Sequence, residues 1–70
     1  MNRESVDSSN VKSVGYDLQT QTLEAEFSSG AVYQYEGVSP ELHQSLMDAD
    51  SIGGFLRTNI IKGAFKTKKL

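Results

Sequence analysis

The stretch Thr22-Leu23-Glu24-Ala25-Glu26-Phe27-Ser28-Ser29-Gly30-Ala31-Val32-Tyr33-Gln34-Tyr35 decides the fold of this 70-residue chain. Leu23, Ala25 and Phe27 alternate with Thr22, Glu24 and Glu26, the pattern of a strand whose sheet has one dry and one wet face. Ser28-Ser29-Gly30 interrupts the alternation, and Gly30 supplies the positive φ that a tight hairpin needs. Ala31–Tyr35 is then the returning strand. Two hairpin registers compete. A three-residue loop pairs Phe27 with Ala31, Ala25 with Tyr33 and Leu23 with Tyr35, which puts both tyrosines on the apolar face. A two-residue Ser29-Gly30 turn pairs Phe27 with Val32; Tyr33 and Tyr35 then join Glu24 and Glu26 on the wet face, and Gln34 and Glu36 point inward. A one-residue slip exchanges every side chain between faces. Burying an unpaired carboxylate such as Glu36 costs several kcal/mol, which favours the first register.

Working outward, Asn10–Tyr16 reads as a preceding strand. Its apolar positions Val11, Val14 and Tyr16 do not alternate cleanly, which points to a bulge or an edge position. Asp17 to Gln21 is a polar connection. On the other side, Ser39-Pro40 opens a helix, with Ser39 as N-cap, Pro40 in the first helical position and Glu41 in the first turn. Leu42, Leu46 and Ala49 form its apolar stripe. Ser51 caps a second helix with Ile52, Phe55, Leu56 and Ile60 on one side. Gly53 and Gly54 weaken that helix by up to ~1 kcal/mol each, so tertiary contact must hold it, and they permit close backbone approach. Gly63 is a stop, and Phe65 is a last apolar anchor. The expected fold is α+β: a three-stranded antiparallel β-meander followed by two α-helices packed on one face. The expected domain spans residues 6–65, with 1–5 and 66–70 as flexible termini.

Such a chain buries roughly 60% of its unfolded surface, and its stability is modest. It has no cysteine, hence no disulfide and no Cys/His metal cluster, and 37% of its residues are hydrophobic. Neither a signal-peptide pattern nor a run of ~20 apolar residues is present, so a soluble cytoplasmic protein without membrane partners is expected. The net charge of −2 conceals an asymmetry. Residues 1–56 hold Arg3 and Lys12 against nine acids, a net −7, whereas residues 57–70 hold Arg57, Lys62, Lys66, Lys68 and Lys69 with no acid, a net +5. Such a basic segment marks a contact with nucleic acid or another anionic surface. Its simpler reading is a solubilising tail that also complements a helix C-terminus.

Catalytic groups are few. His43 is the single histidine and lies off the Leu42/Leu46 stripe, so it is expected in solvent. Ser28, Ser29 and Ser51 are accounted for by turn and cap chemistry. Glu24 and Glu26 share a strand face without a partner acid or base, and Gly53-Gly54 lacks the spacing of a phosphate loop. No enzyme, metal site or cofactor is expected.

The motifs Val11-x-x-Val14-Gly15-Tyr16-Asp17, then Leu23-x-x-x-Phe27-x-x-Gly30-x-x-Tyr33-x-Tyr35-x-x-Val38-x-Pro40, then Ala49-x-Ser51-x-Gly53-x-Phe55 carry a resemblance. In this order they resemble the KTSC domain, named for the C-terminal domain of some lysyl-tRNA synthetases and also found as free-standing short bacterial and phage-type proteins. Its hallmark is a central Tyr-x-Tyr, matched by Tyr33 and Tyr35. The resemblance covers about residues 6–65. This chain departs from the family at Arg57, where Asn is common, and at Ile61-Lys62 in place of a common Ile-Arg. The resemblance implies an accessory domain for which RNA binding has been suggested.

Two functions follow as expectations. One is a non-catalytic RNA-binding module (tRNA or single-stranded RNA) using Arg57, Lys62, Lys66, Lys68, Lys69, Tyr33 and Tyr35. The other is a protein-interaction module that docks a partner through a strand edge or a helix face.

Overall fold

The hairpin forms in the three-residue-loop register. The computed structural model describes residues 3–63 and 65–70. In it, Ala25 lies opposite Tyr33 and Leu23 opposite Tyr35, while the Phe27 N–H donates to the Ala31 carbonyl at 2.9 Å. Gly30 closes the loop with φ of +94°, and its N–H donates to the Phe27 carbonyl. Leu23, Ala25 and Tyr35 are accordingly buried together.

The chain runs β1 (Arg3–Ser5), β2 (Val11–Asp17), β3 (Thr22–Phe27), β4 (Val32–Glu36), α1 (Pro40–Asp48), α2 (Ile52–Phe55), a π-helical segment (Leu56–Ile61) and β5 (Lys66–Lys69). The five strands form one antiparallel sheet in sequence order. The fold is α+β as expected, but the sheet has five strands rather than three. Both added strands come from segments read as flexible termini, of which Met1 and Asn2 lie outside the described residues. Arg3–Ser5 pairs with β2, and Lys66–Lys69 returns after the helices to pair with β4. Neither has an alternating apolar pattern, and all seven of their residues are exposed. Their pairing comes from the backbone: a three-stranded sheet leaves rows of unpaired N–H and C=O groups on its outer strands, and these segments occupy them.

β2 contains the bulge that its pattern suggested. Val11 pairs with Phe27 but Ser13 pairs with Glu26, so Lys12 is the extra residue. The bulge lets Val11 and Val14 both reach the core despite their odd spacing.

The sheet's two faces differ sharply. On one side Leu46 of α1 and Leu56 and Ile60 of the π-helical segment pack with Val11, Val14, Leu23 and Ala25 into the core. The other face carries no helix and is polar. There Arg3 donates to Glu24 at 3.1 Å, Gln34 donates to the same carboxylate at 2.8 Å, and Ser13 donates to Glu26 at 3.1 Å. These partners cover Glu24 so well that only 7% of it is exposed.

Both helix caps form as expected: Ser39 Oγ accepts from the Leu42 N–H and Ser51 Oγ from the Gly54 N–H, each at 3.1 Å. The close approach at Gly53 is to the connection entering β2, where a Cβ would stand 3.1 Å from Ser8 Oγ. Beyond Phe55 the helix widens. The Lys62 N–H donates to the Arg57 carbonyl five residues back, at 3.2 Å.

Candidate nucleic-acid interface

β5 organises the basic segment, and its register fixes where each cation goes. Lys69 lies opposite Tyr33 and Thr67 opposite Tyr35, on the helix-bearing side of the sheet. Lys68 lies opposite Gln34 and Lys66 opposite Glu36, on the polar side. The lysines therefore do not form one patch; the strand divides them between two faces along one edge. Arg57 and Lys62 are exposed on the π-helical segment and its C-cap. Among the described residues, the salt bridges within 4.0 Å all involve Arg3, with Glu24 at 3.1 Å and Glu26 at 3.9 Å. The five cations from Arg57 onward take no part in them.

The two tyrosines fare differently. Tyr35 is core, 3% exposed, and burial pushes its phenol above the ordinary value, with nearby Tyr33 adding to the shift. A ring so enclosed offers no face to a base. Tyr33 is half-buried and meets Phe27 edge-to-face, ring centres 5.7 Å apart at 75°. Beside this pair opens a groove of ≈ 430 Å³, lined by Phe27, Ala31, Tyr33, Ile61 and Thr67, with Tyr35 in its floor. Ile61 forms a wall and is 48% exposed. Sequence reading named both tyrosines but missed this groove, because Phe27 and Ile61 meet only through tertiary packing.

A second cluster was also missed. His43, expected in solvent, is half-buried and stacks flat on Tyr16, ring centres 4.3 Å apart at 6°. The Tyr16 hydroxyl donates to the Val38 carbonyl, which ties the end of β2 to the turn before α1. Desolvation lowers the His43 pKa, partly opposed by Glu4, and raises that of Tyr16, with Glu41 and Asp17 adding. Arg3 and Glu4 complete a cleft of ≈ 300 Å³ at this end of the sheet. The only hint in the sequence was Tyr16 itself, which the strand pattern had absorbed as an ordinary apolar position. No group of three or more candidate metal ligands occurs among the described residues, and no described helix is long and apolar enough to cross a membrane.

Comparison with known proteins converges on one family. The KTSC domain model matches residues 7–65. An uncharacterized protein of Stutzerimonas stutzeri is 55% identical over 53 residues, covering 76% of this chain and 75% of that protein. A lysine–tRNA ligase of Nostoc punctiforme is 42% identical over 60 residues, 86% of this chain but 10% of the ligase. The chain thus spans about a tenth of that enzyme. The crystal structure of a KTSC domain protein from Yersinia pestis superposes with a TM-score of 0.92 at 40% identity, covering 99% of this chain and 96% of that one. The sheet with its Tyr-x-Tyr strand, the paired helices and these matches agree: the chain belongs to the KTSC domain family.

Proposed function

We propose that this chain is a non-catalytic accessory binding domain whose ligand is RNA, either tRNA or a single-stranded segment, in the cytoplasm. One observation carries the reading: β5 sets Lys69 beside Tyr33 at an apolar groove and runs Lys66 and Lys68 along the same edge. Exposed cations attract phosphates, and a half-open aromatic ring beside them offers contact to a base. The match to a segment of a lysine–tRNA ligase supports the same ligand class. The net −7 of residues 1–56 weighs against it, but Glu24, Glu26 and Glu36 lie on the polar face, opposite to that of Tyr33 and Lys69.

The test is a titration of labelled tRNA and single-stranded RNA at low and moderate salt. Binding that weakens as salt rises supports the proposal; no binding at low salt with high-micromolar protein removes it. A protein-interaction role rests on a different observation, the outer edge of β5, where an extended peptide could add a strand. That mode depends on backbone pairing, and would outlast replacement of the lysines that RNA binding requires.

A further inference from the structure

We propose that the groove between the Phe27–Tyr33 pair and Ile61 seats one unpaired nucleobase, so that the domain selects single-stranded over duplex RNA. This rests on the RNA reading above and narrows it. At ≈ 430 Å³ the groove falls in the range of small-ligand sites, about 300–1,000 Å³, and its lining is mainly aromatic and aliphatic, with Ser29 and Thr67 the polar members. No cation lines it, but cations stand next to lining residues on both sides. On the sheet bank, Lys69 stands directly opposite Tyr33, so its side chain starts beside the ring. On the helical bank, Lys62 follows Ile61.

The π-helical geometry also gathers charge. In an α-helix, positions 57 and 62 would diverge by about 140° around the axis. Here the bond from the Lys62 N–H to the Arg57 carbonyl sets them one turn apart, both exposed. An apolar slot with Lys69 across the strand from its aromatic wall suits a base whose own phosphate meets the lysine. Duplex RNA keeps its bases stacked inside and presents phosphates and 2′-hydroxyls, so it can engage the lysines but cannot fill the slot. Charge favours an anionic occupant over a neutral or basic peptide, since residues 57–70 contain no acid. The carboxylates in register with β4, Glu26 opposite Val32 and Glu24 opposite Gln34, lie with Glu36 on the opposite face of the sheet.

The test uses the whole chain and three probes of equal length: a single-stranded RNA, the same strand carrying abasic sites, and a duplex. The expected result is affinity for the intact single strand about tenfold above both others, with methyl shifts at Ile61 in NMR spectra. Ile61→Glu should abolish that preference while leaving the fold intact, because the side chain is already half exposed. Tyr33→Leu should weaken single-strand binding several-fold while retaining the salt dependence. Equal affinity for all three probes would overturn the base pocket while leaving RNA binding standing. No binding to any of them would remove the RNA reading and the pocket together. Ile61 shifts produced by an acidic, aromatic-containing peptide but not by RNA would assign the groove to protein.

Discussion

Tyr16 and Tyr33 sit on the same face of the same sheet, two strands apart, yet one is closed and the other open. Tyr16 has its ring covered by His43 and its hydroxyl held by the Val38 carbonyl. Tyr33 meets Phe27 edge-on and borders the apolar groove, with Lys69 across the strand. The surroundings decide the role. Where the polar atom is satisfied and the ring face covered, the tyrosine fastens elements together. Where a cation and an open apolar groove adjoin it, the ring keeps part of its surface exposed.

The largest expected effect tests the open side. Replacing Lys66, Lys68 and Lys69 together with Glu should weaken RNA binding about a hundredfold or more, and reduce the single-strand salt slope by about 2. Circular dichroism should show the sheet retained. The same substitutions should leave the Tyr16 end untouched.

Next comes the contrast between the two hydroxyls. Tyr16→Phe leaves the buried Val38 carbonyl without its donor and should cost about 1–2 kcal/mol in urea denaturation. Tyr33→Phe should change stability by less than about 0.5 kcal/mol. Equal losses would erase the distinction between the two sites.

A smaller effect is expected at the caps. Ser39→Ala removes the acceptor for Leu42 N–H in the helix that carries His43, and Ser51→Ala does so for Gly54 in the helix leading to Ile61. Each should cost about 1 kcal/mol by thermal or urea unfolding. Only Ser51→Ala should also disturb the groove, read as shifts at Ile61.

The smallest effect is a pH dependence at the closed end. Because desolvation lowers the His43 pKa in the folded protein, the unfolded chain binds the proton more readily. This contribution is full above the ordinary histidine pKa of about 6.5, and declines as pH falls through it toward the lowered folded value. Comparing urea midpoints between pH 7.5 and 5.5, His43→Gln should show a shallower decline than the parent chain. An unchanged slope would mean that the stack does not exclude the charged form.

What the sequence disclosed follows from how local the cause was. Gly30 and the Leu23/Ala25/Phe27 alternation are short-range signals, and they specified the hairpin register and hence the burial of Tyr35. Ser39-Pro40 and Ser51 marked both helix starts for the same reason. β1 and β5 escaped because their residues have no apolar period; they exist as strands only where a neighbouring edge lacks partners. The π-helical segment escaped because Leu56 and Ile60 suit an α-helix equally well, and the one-residue shift in hydrogen bonding leaves that pattern intact. The candidate site was half legible: Tyr33 and the basic residues were named, but their division between two faces depended on a strand that composition did not announce. His43 was misplaced because its covering ring comes from β2, remote in sequence.

β5 also has a kinetic consequence. Its partner β4 lies roughly thirty residues back along the chain, and none of its four side chains is buried to reward the encounter. Closing so long a loop before any burial repays it is slow, which makes this pairing a late event and an early one to reverse. The amide protons bonded between β4 and β5 should therefore exchange with solvent well before those shared by β2 and β3. A ligand held by Lys69 would slow that exchange, turning the last-formed seam of the sheet into its own reporter of occupancy.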